Sequence, residues 1–553
     1  MTNSDIADML SALAKLMDLH GENAFKSKAL ANASFQIDRL TEQLSELEPA
    51  AWGKLGLSAS TAEKVQEILS TGTLAALETL RANTPEGILE LMGIKGIGPK
   101  KLAVIWKELG IESPGELLYA CVENRLVHYK GFGEKTQQNI REALEYYLSN
   151  QHLFLYAALF PALAPIETLL QEVLPENSYC LSGDMAMQAD IVEAIDIITT
   201  LSPDEIKHAL LPHPEWALRE ANDDHELWSF LDAYPVRFYC YTGSLLPHHL
   251  QHSSSSEFLN ALCAYNPNWE AIAQQQVTEQ AFFQALQLPY TPAYLRHQAS
   301  ALTQGIPADL IQVNDIRGII HSHSNWSDGG YSIEDMAKAC IEHGYEYLVL
   351  SDHSVSSFYA NGLSAERIRE QHKEIDRLNA KLAPFTIFKS IECDILNDGR
   401  LDYDNDVLAS FDIVIASVHQ HLRMSEEKAM QRVMAAIENP YTHILGHSSG
   451  RLLLSRPGYP LNYEHVIEAC AKHKVVLEIN AHPRRLDLDW QWISLAQEKN
   501  VMLSINPDAH SVEGIHDVFF GVRSAQKGLL RKQNNLSSLP LNEFKAFIAS
   551  LKK

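Results

Sequence analysis

Seven cysteines are scattered through the chain with no CxxC pair among them, which excludes a disulfide framework and points to a reducing compartment. No apolar run approaches the length needed to span a bilayer, and the start MTNSDIADML lacks the charged and apolar regions of a secretory signal, so a cytoplasmic protein without a membrane partner is expected. Positive charge is also short. Against 70 Asp+Glu stand 45 Lys+Arg, a net charge of -25, and this excludes a surface that binds nucleic acid all over while leaving room for local basic patches. What is present is ordinary globular composition, 46% hydrophobic and 21% charged, over 553 residues, enough for several domains with their own cores.

The most informative stretch is Asp315 to Gly329, DIRGIIHSHSNWSDG. Gly318, Ile319 and Ile320 read as a short buried strand that delivers His321 and His323, with Asp328 following in the next loop. Two histidines at i and i+2 on a strand face the same way, so one metal can take both. Further on, apolar runs alternate with amphipathic segments (Ser332 to His343, Ala365 to Ala383, Glu426 to Glu438, Tyr463 to Lys472). Nearly every run ends in a residue that binds metals: Asp352 and His353, Glu392, His419, His447, Asn480, then Asp508 and His510. Strand-helix alternation of this length predicts a parallel β/α barrel, in which functional residues gather at the C-terminal ends of strands.

These residues resemble the PHP (polymerase and histidinol phosphatase) phosphoesterases. The resemblance implies a cluster of up to three divalent ions held by His321, His323, Asp328, His353, Glu392, His419, His447, Asp508 and His510. It favours Mn²⁺; a histidine and carboxylate set without thiolates suits Zn²⁺ or Fe²⁺ as well. Ions a few ångströms apart clamp a phosphate, acidify water and stabilise a leaving oxygen. In INAHPRRLDLD, Arg484 and Arg485 follow a strand end; either a phosphate contact or a surface pairing with Asp487 or Asp489 fits them, and the resemblance favours Arg485 as a catalytic phosphate ligand. His343, His443, His473 and His516 are expected outside the site.

Residues 1–85 read as helical, beginning with Ile6 to Leu19, and GENAFKSKALANAS resembles the opening of the small DNA-binding domain of family X DNA polymerases. In the first hairpin position, KLGLSASTAEKVQEILSTG, Gly56 is kept but Ser58, Ala59 and Ser60 fill the turn, which implies a weakened hairpin; Lys64 falls where some relatives carry a lyase lysine. The second, IKGIGPKKLAVIWKELGI, places Gly96, Gly98, Lys100 and Lys101 at a helix start, a phosphate site without base specificity. A third turn brings Gly131, Gly133 and Lys135 ahead of a helix Thr136 to Leu148.

Residues 149–250 resemble the family X palm without its chemistry. Asp184 stands where a nucleotide-binding serine is expected, Ala194 replaces the first metal aspartate of the Asp-x-Asp pair, Asp196 remains, and the third aspartate falls near Pro235. Glu193 and Asp196 are expected on opposite strand faces, so one carboxylate would be left where two ions must bind. A thumb-like segment follows (251–300), then the PHP domain (301–553), after helical modules at 1–85 and 86–148. The expected fold is therefore multidomain: all-α helix-hairpin-helix modules, a degenerate α+β nucleotidyltransferase palm, and a distorted parallel β/α (PHP, TIM-like) barrel. The expected function is a metal-dependent 3′-to-5′ exonuclease or 3′-end-processing enzyme in DNA repair, acting on single-stranded, gapped or 3′-ended DNA. Its alternatives are an active gap-filling polymerase, a phosphatase for a small phosphate ester, and a non-enzymatic DNA-end binder.

Overall fold

The computed structural model describes residues 1–551 other than Thr41, Gly56 and Lys95, and its chain forms two compact units, Met1–Gln151 and His152–Lys553. Gly56, expected in the first hairpin turn, thus lies outside the described residues.

The first unit is helical. Its opening helix, Asn3–His20, starts on a capping box in which Thr2 Oγ1 accepts the Asp5 N–H and the Asp5 carboxylate accepts the Thr2 N–H, and it stops at Gly21 in the left-handed region (φ 77). Its apolar stripe, Ile6, Leu10, Leu13 and Met17, is buried, as the 3.6-residue period requires. One hydrophobic cluster runs from Ile6 through Val65 and Leu102 to Leu144, so both expected N-terminal modules contribute to it.

The second unit begins with a mixed α/β region. Its strands are β1 (Phe154–Leu155), β2 (Tyr179–Ser182), β3 (Ile191–Val192), β4 (Ile195–Thr199), β5 (Trp216–Ala221), β6 (Glu226–Phe230) and β7 (Tyr234–Cys240). β1 pairs with β3, and the rest form a five-stranded sheet in the order β2-β4-β7-β6-β5, with only β4 and β7 parallel. The helix Tyr156–Val173 packs Leu159, Ile166 and Leu170 against its apolar face. Residues 246–302 follow as short helices around Leu250, Phe258, Leu262, Phe282 and Phe283.

Then comes a parallel sheet of seven strands: β8 (Gly318–Ser322), β9 (Tyr347–Leu350), β10 (Thr386–Asp394), β11 (Ile413–Ser417), β12 (Ile444–Leu445), β13 (Val476–Asn480) and β14 (Leu503–Asn506). They lie in sequence order, joined by the helices Ile333–Glu342, Ala365–Leu382, Asn405–Leu408, Glu426–Ile437, Tyr463–His473 and Ile493–Glu498. The ring closes on itself just beyond β14, where the His323 N–H donates to the Ala509 carbonyl (2.8 Å). Strands buried on both faces read as unbroken apolar runs, which is why VVLEIN and DIVIAS lack alternation. Leu536, Phe544 and Ile548 from the C-terminal segment pack with Ile320, Val349 and Val476 in a second layer of the core.

Candidate metal centre and nucleic-acid contacts

All nine histidines and carboxylates picked from the strand ends converge at one end of the barrel. Glu392, fully buried on β10, is the hub. Its two oxygens lie within 4 Å of five imidazole nitrogens: His447 Nε2 at 2.8 Å, His353 Nδ1 and His419 Nε2 at 3.0 Å, His321 Nε2 at 3.3 Å and His323 Nε2 at 3.7 Å. Asp508 forms a second focus, with its Oδ1 3.1 Å from His323 Nε2 and 3.5 Å from His321 Nε2. Asp328 meets His353 and His510, each through Nε2 at 3.5 Å, at the edge where Asp328 is 25% and His510 41% exposed. Three sets hold their ligand atoms within 4.8 Å of one another: His321, His323 and Asp508; His353, Glu392 and His419; and His323, Asp328, His353 and His510.

His321 and His323 reach this cluster by a route other than flat-strand alternation. The β8–β9 register slips between Ile320 and Ser322, and His321 sits at φ 63, so a bulge re-aims the ring. The i, i+2 argument is corrected to that extent. Both rings are fully buried.

Further carboxylates back the ring nitrogens that face away from Glu392. His321 Nδ1 lies 2.6 Å from Glu478 and His419 Nδ1 lies 2.9 Å from Asp394. An ionised carboxylate only accepts, so each of those ring nitrogens carries a proton, and the opposite nitrogen, which faces Glu392, either carries a second proton or turns its lone pair to a cation. Lone pairs facing a carboxylate repel, unless a cation lies between. Among the described residues, His321 Nε2, His323 Nδ1, His353 Nδ1 and Glu392 Oε2 are buried without a hydrogen-bond partner, which fits a cation-binding centre. The carboxylates draw positive charge into the centre. Burial opposes charge on His353 and His419, but Glu392 with Asp328 lifts the first to about 10, and Glu392 with Asp394 lifts the second to about 10. Burial, then His510 and His353, push His323 down to about 3.

Arg485 enters from the loop after β13, with Nε 3.3 Å from Asp508 Oδ2. It does not pair with the neighbouring aspartates. Asp487 accepts the N–H groups of Ser449 (2.9 Å) and Gly450 (3.0 Å), and Asp489 takes Arg451 at 2.5 Å. Arg484 is exposed. Asp352, another strand-end residue, accepts from Ser324, Ser327 and Gln371 and braces the loop after β8. His443 takes the Val414 N–H at 2.9 Å, away from the centre, while His343 packs against His516. Strand-end reading missed Glu478 and Asp394. Each had a signal: a lone carboxylate inside the apolar run VVLEIN, and a second carboxylate two residues beyond Glu392, on the same strand face.

In the helical unit, the helix Pro99–Lys107 begins after Gly98 with no side-chain cap, and Glu134–Ser149 begins likewise after Gly133, the latter two residues longer at its start than expected. Gly96 (φ 102) and Gly131 (φ 95) make the turns that only glycine adopts freely. Gly96, Gly98, Gly131, Gly133, Lys100 and Lys135 are exposed and Lys101 is half-buried, so uncapped first-turn N–H groups stand beside cations. The helix Ala59–Thr71, which carries Lys64, contrasts: Ser58 Oγ accepts the Thr61 N–H (3.2 Å) and uses a group that an open turn would offer to phosphate.

In the mixed sheet, Asp196 on β4 lies opposite Arg237 on β7, and the guanidinium grips both carboxylate oxygens (Nε 2.6 Å, Nη2 3.1 Å). Its Nη1 reaches Glu193 at 2.8 Å. Glu193 precedes the strand, so alternation does not govern it, and the expectation that Glu193 and Asp196 point apart is corrected: they share one cation. Ala194 is buried. Gly183 abuts Asp196, so that a Cβ there would meet Oδ2 at 2.2 Å, and its N–H is taken by Ser253 Oγ at 3.0 Å.

Residues 1–74 match the helix-hairpin-helix domain family, 88–145 the SAM-like helix-hairpin-helix tandem, and 320–482 the PHP domain. Over 99% of both chains, the protein is 34% identical to the DNA polymerase/3′-5′ exonuclease PolX of Bacillus subtilis. It is 28% identical to a probable phosphatase of Caldanaerobacter subterraneus subsp. tengcongensis over 29% of this chain and 60% of that one. A probable phosphatase of Syntrophotalea carbinolica is 29% identical over 29% of this chain and 64% of its own. No helix among the described residues is long and apolar enough to cross a membrane.

Proposed function

The chain belongs to the PolX family of DNA polymerase/3′-5′ exonucleases, and from that premise we propose that it is a metal-dependent 3′-to-5′ exonuclease or 3′-end phosphoesterase of DNA repair, working through its PHP barrel in the cytoplasm. One observation carries the reading: a buried glutamate, Glu392, faced by five imidazoles. His321, His323, Asp328, His353, Glu392, His419, His447, Asp508 and His510 would hold up to three divalent ions. Manganese is the choice that family likeness favours, with Zn²⁺ or Fe²⁺ as alternatives. Such ions supply charge that clamps a phosphate, acidifies water and stabilises the leaving oxygen.

The chain's own groups do the rest. Glu478 and Asp394 fix the protons of His321 and His419 on their outer nitrogens and keep the inner lone pairs available. Asp328 and His510, the most exposed members, mark the side from which a terminal phosphodiester enters. Arg485, now against Asp508, donates to a phosphate oxygen and orients it. The glycine turns at Gly96–Lys101 and Gly131–Lys135 bind the DNA backbone without reading sequence. The palm is inactive as a polymerase, because Ala194 provides no ligand and Arg237 occupies the charge of Asp196.

The test uses single-stranded oligonucleotides labelled at the 5′ or the 3′ end, with Mn²⁺, Mg²⁺ or Zn²⁺, and compares the wild type with His353→Ala. Stepwise shortening of the 5′-labelled strand by the wild type alone is the expected result. Absence of cutting by the wild type under every ion overturns the reading.

A further inference from the structure

The rim around the centre is electrically divided. Seven loops follow the C-terminal ends of β8–β14. Those after β11, β12 and β13 (residues 418–425, 446–462 and 481–489) carry five arginines, Arg423, Arg451, Arg456, Arg484 and Arg485, against two aspartates. Both aspartates are consumed internally: Asp487 by the backbone at Ser449 and Gly450, and Asp489 by Arg451, whose own charge that pair and Asp190 balance. In the remaining four loops (323–332, 351–364, 395–404 and 507–512) one cation, Arg400, pairs with Asp398 at 2.7 Å; Asp328 and Asp508 belong to the centre and Asp352 is buried, so the outer acidic charge is that of the loop after β10, Asp398, Asp402 and Asp404. The three basic loops are neighbours, because β11, β12 and β13 are adjacent in the sheet. The imbalance is therefore a continuous sector and not a scatter of charges around the ring.

In a chain of net charge -25, a polyanion is repelled over most of the surface and is drawn to such a sector. Arg485 reaches the centre from inside this sector, and Arg484, next to it in sequence, is exposed. Arg456 donates through Nε to the Gly450 carbonyl (3.1 Å), and Arg423 is exposed on the next loop. A mononucleotide ester needs one phosphate contact, which Arg485 supplies. Cations spread over two further loops suit a ligand whose charges repeat along a chain. Resting on the phosphoesterase reading above, we infer that the strand leading to the scissile phosphate runs out over the β11–β13 sector, with its phosphates on Arg484, Arg456 and Arg423. The acidic loop after β10 bounds that sector on one side.

The experiment measures KM and kcat of the full-length protein, loaded with Mn²⁺, on a 5′-labelled single-stranded oligonucleotide and on the p-nitrophenyl ester of thymidine 5′-monophosphate, across a salt series. Arg484→Glu and Arg423→Glu are compared with Asp398→Lys on the acidic loop after β10. Each arginine reversal is expected to raise the oligonucleotide KM about tenfold more than the ester KM and to reduce the salt slope by about one. Asp398→Lys is expected to leave the oligonucleotide KM level or lower it. Equal effects of the arginine reversals on both substrates, or an oligonucleotide KM that they leave unchanged, overturn the path while the exonuclease reading stands. A wild type that cleaves the ester but no oligonucleotide overturns both.

Discussion

Replacing Asp190 by alanine tests how the mixed sheet and the barrel hold each other. The Asp190 carboxylate, 15% exposed, receives the Lys527 ammonium at 2.5 Å and lies 3.4 Å from Arg451 Nη2. Burial disfavours its charge, yet Lys527 and Arg451 hold its pKa below the ordinary value. The Lys527 side chain is 1% exposed, and its other bond goes to the Gln188 carbonyl at 3.0 Å. Without Asp190 that ammonium is a buried charge with one neutral partner, a loss of about 3–5 kcal/mol. Arg451 keeps Asp489, so it adds little to the loss. In urea unfolding followed by fluorescence, with Trp490 5.7 Å from Lys527 as the local reporter, the transition of the second unit moves to lower urea. Lys527→Met added to Asp190→Ala recovers most of the loss, since it removes the stranded charge. Arg451 also donates through Nε to the Arg485 carbonyl (2.8 Å), so the single variant raises the oligonucleotide KM as well. A loss below about 1 kcal/mol, or a double variant no more stable than the single, refutes the buried-charge argument.

Glu392→Gln removes the charge that five imidazoles face; the protein is expected to retain less than a tenth of its bound Mn²⁺ by mass spectrometry of the metal and to lose nuclease activity, and full metal retention would count against the hub role. Ala194→Asp is expected not to restore nucleotide incorporation on a primed template with Mg²⁺, because Arg237 still grips Asp196; activity restored by that single change would show that the guanidinium is no barrier. Two groups outside the metal centre contribute to acid instability. Burial and Lys527 push His297 down to about 4, so its contribution is whole above pH 6.5 and is lost as pH falls toward 4. Burial opposes charge on Glu279, but His249 and Arg296 bring it to about 2, so its contribution, up to about 3 kcal/mol, is whole above pH 4.5 and is lost as pH falls toward 2. Thermal unfolding from pH 7 to 3 checks both, and a flat profile refutes them. With Glu279→Gln the lower step disappears.

What was legible in the chain, and what was not, divides by how far a residue's partner lies along the sequence. The barrel and its nine strand-end residues could be read because a parallel β/α unit repeats a local rule: an apolar run, a polar end, an amphipathic helix. The glycine turns were legible for a similar reason, since φ above zero and an uncapped helix start are properties of a few consecutive residues. The bulge at His321 was not, because a register slip belongs to the pairing with β9 and leaves no mark on β8 alone. The neutralising partners were hidden most deeply. Arg237 is 41 residues from Asp196, Glu478 is 157 from His321, and Arg451 is 261 from Asp190. Yet a buried charge always requires a partner, so Glu478 within VVLEIN announced that some cation or donor had to meet it. Arg237 carries the same logic in reverse. Asp196 is a buried carboxylate beside Ala194, which offers no ligand, and the guanidinium of Arg237 on the adjacent parallel strand meets its charge. The charge of Asp196 is thus balanced by a residue that no reading of its own strand could supply, under the same rule that binds Glu478 to His321.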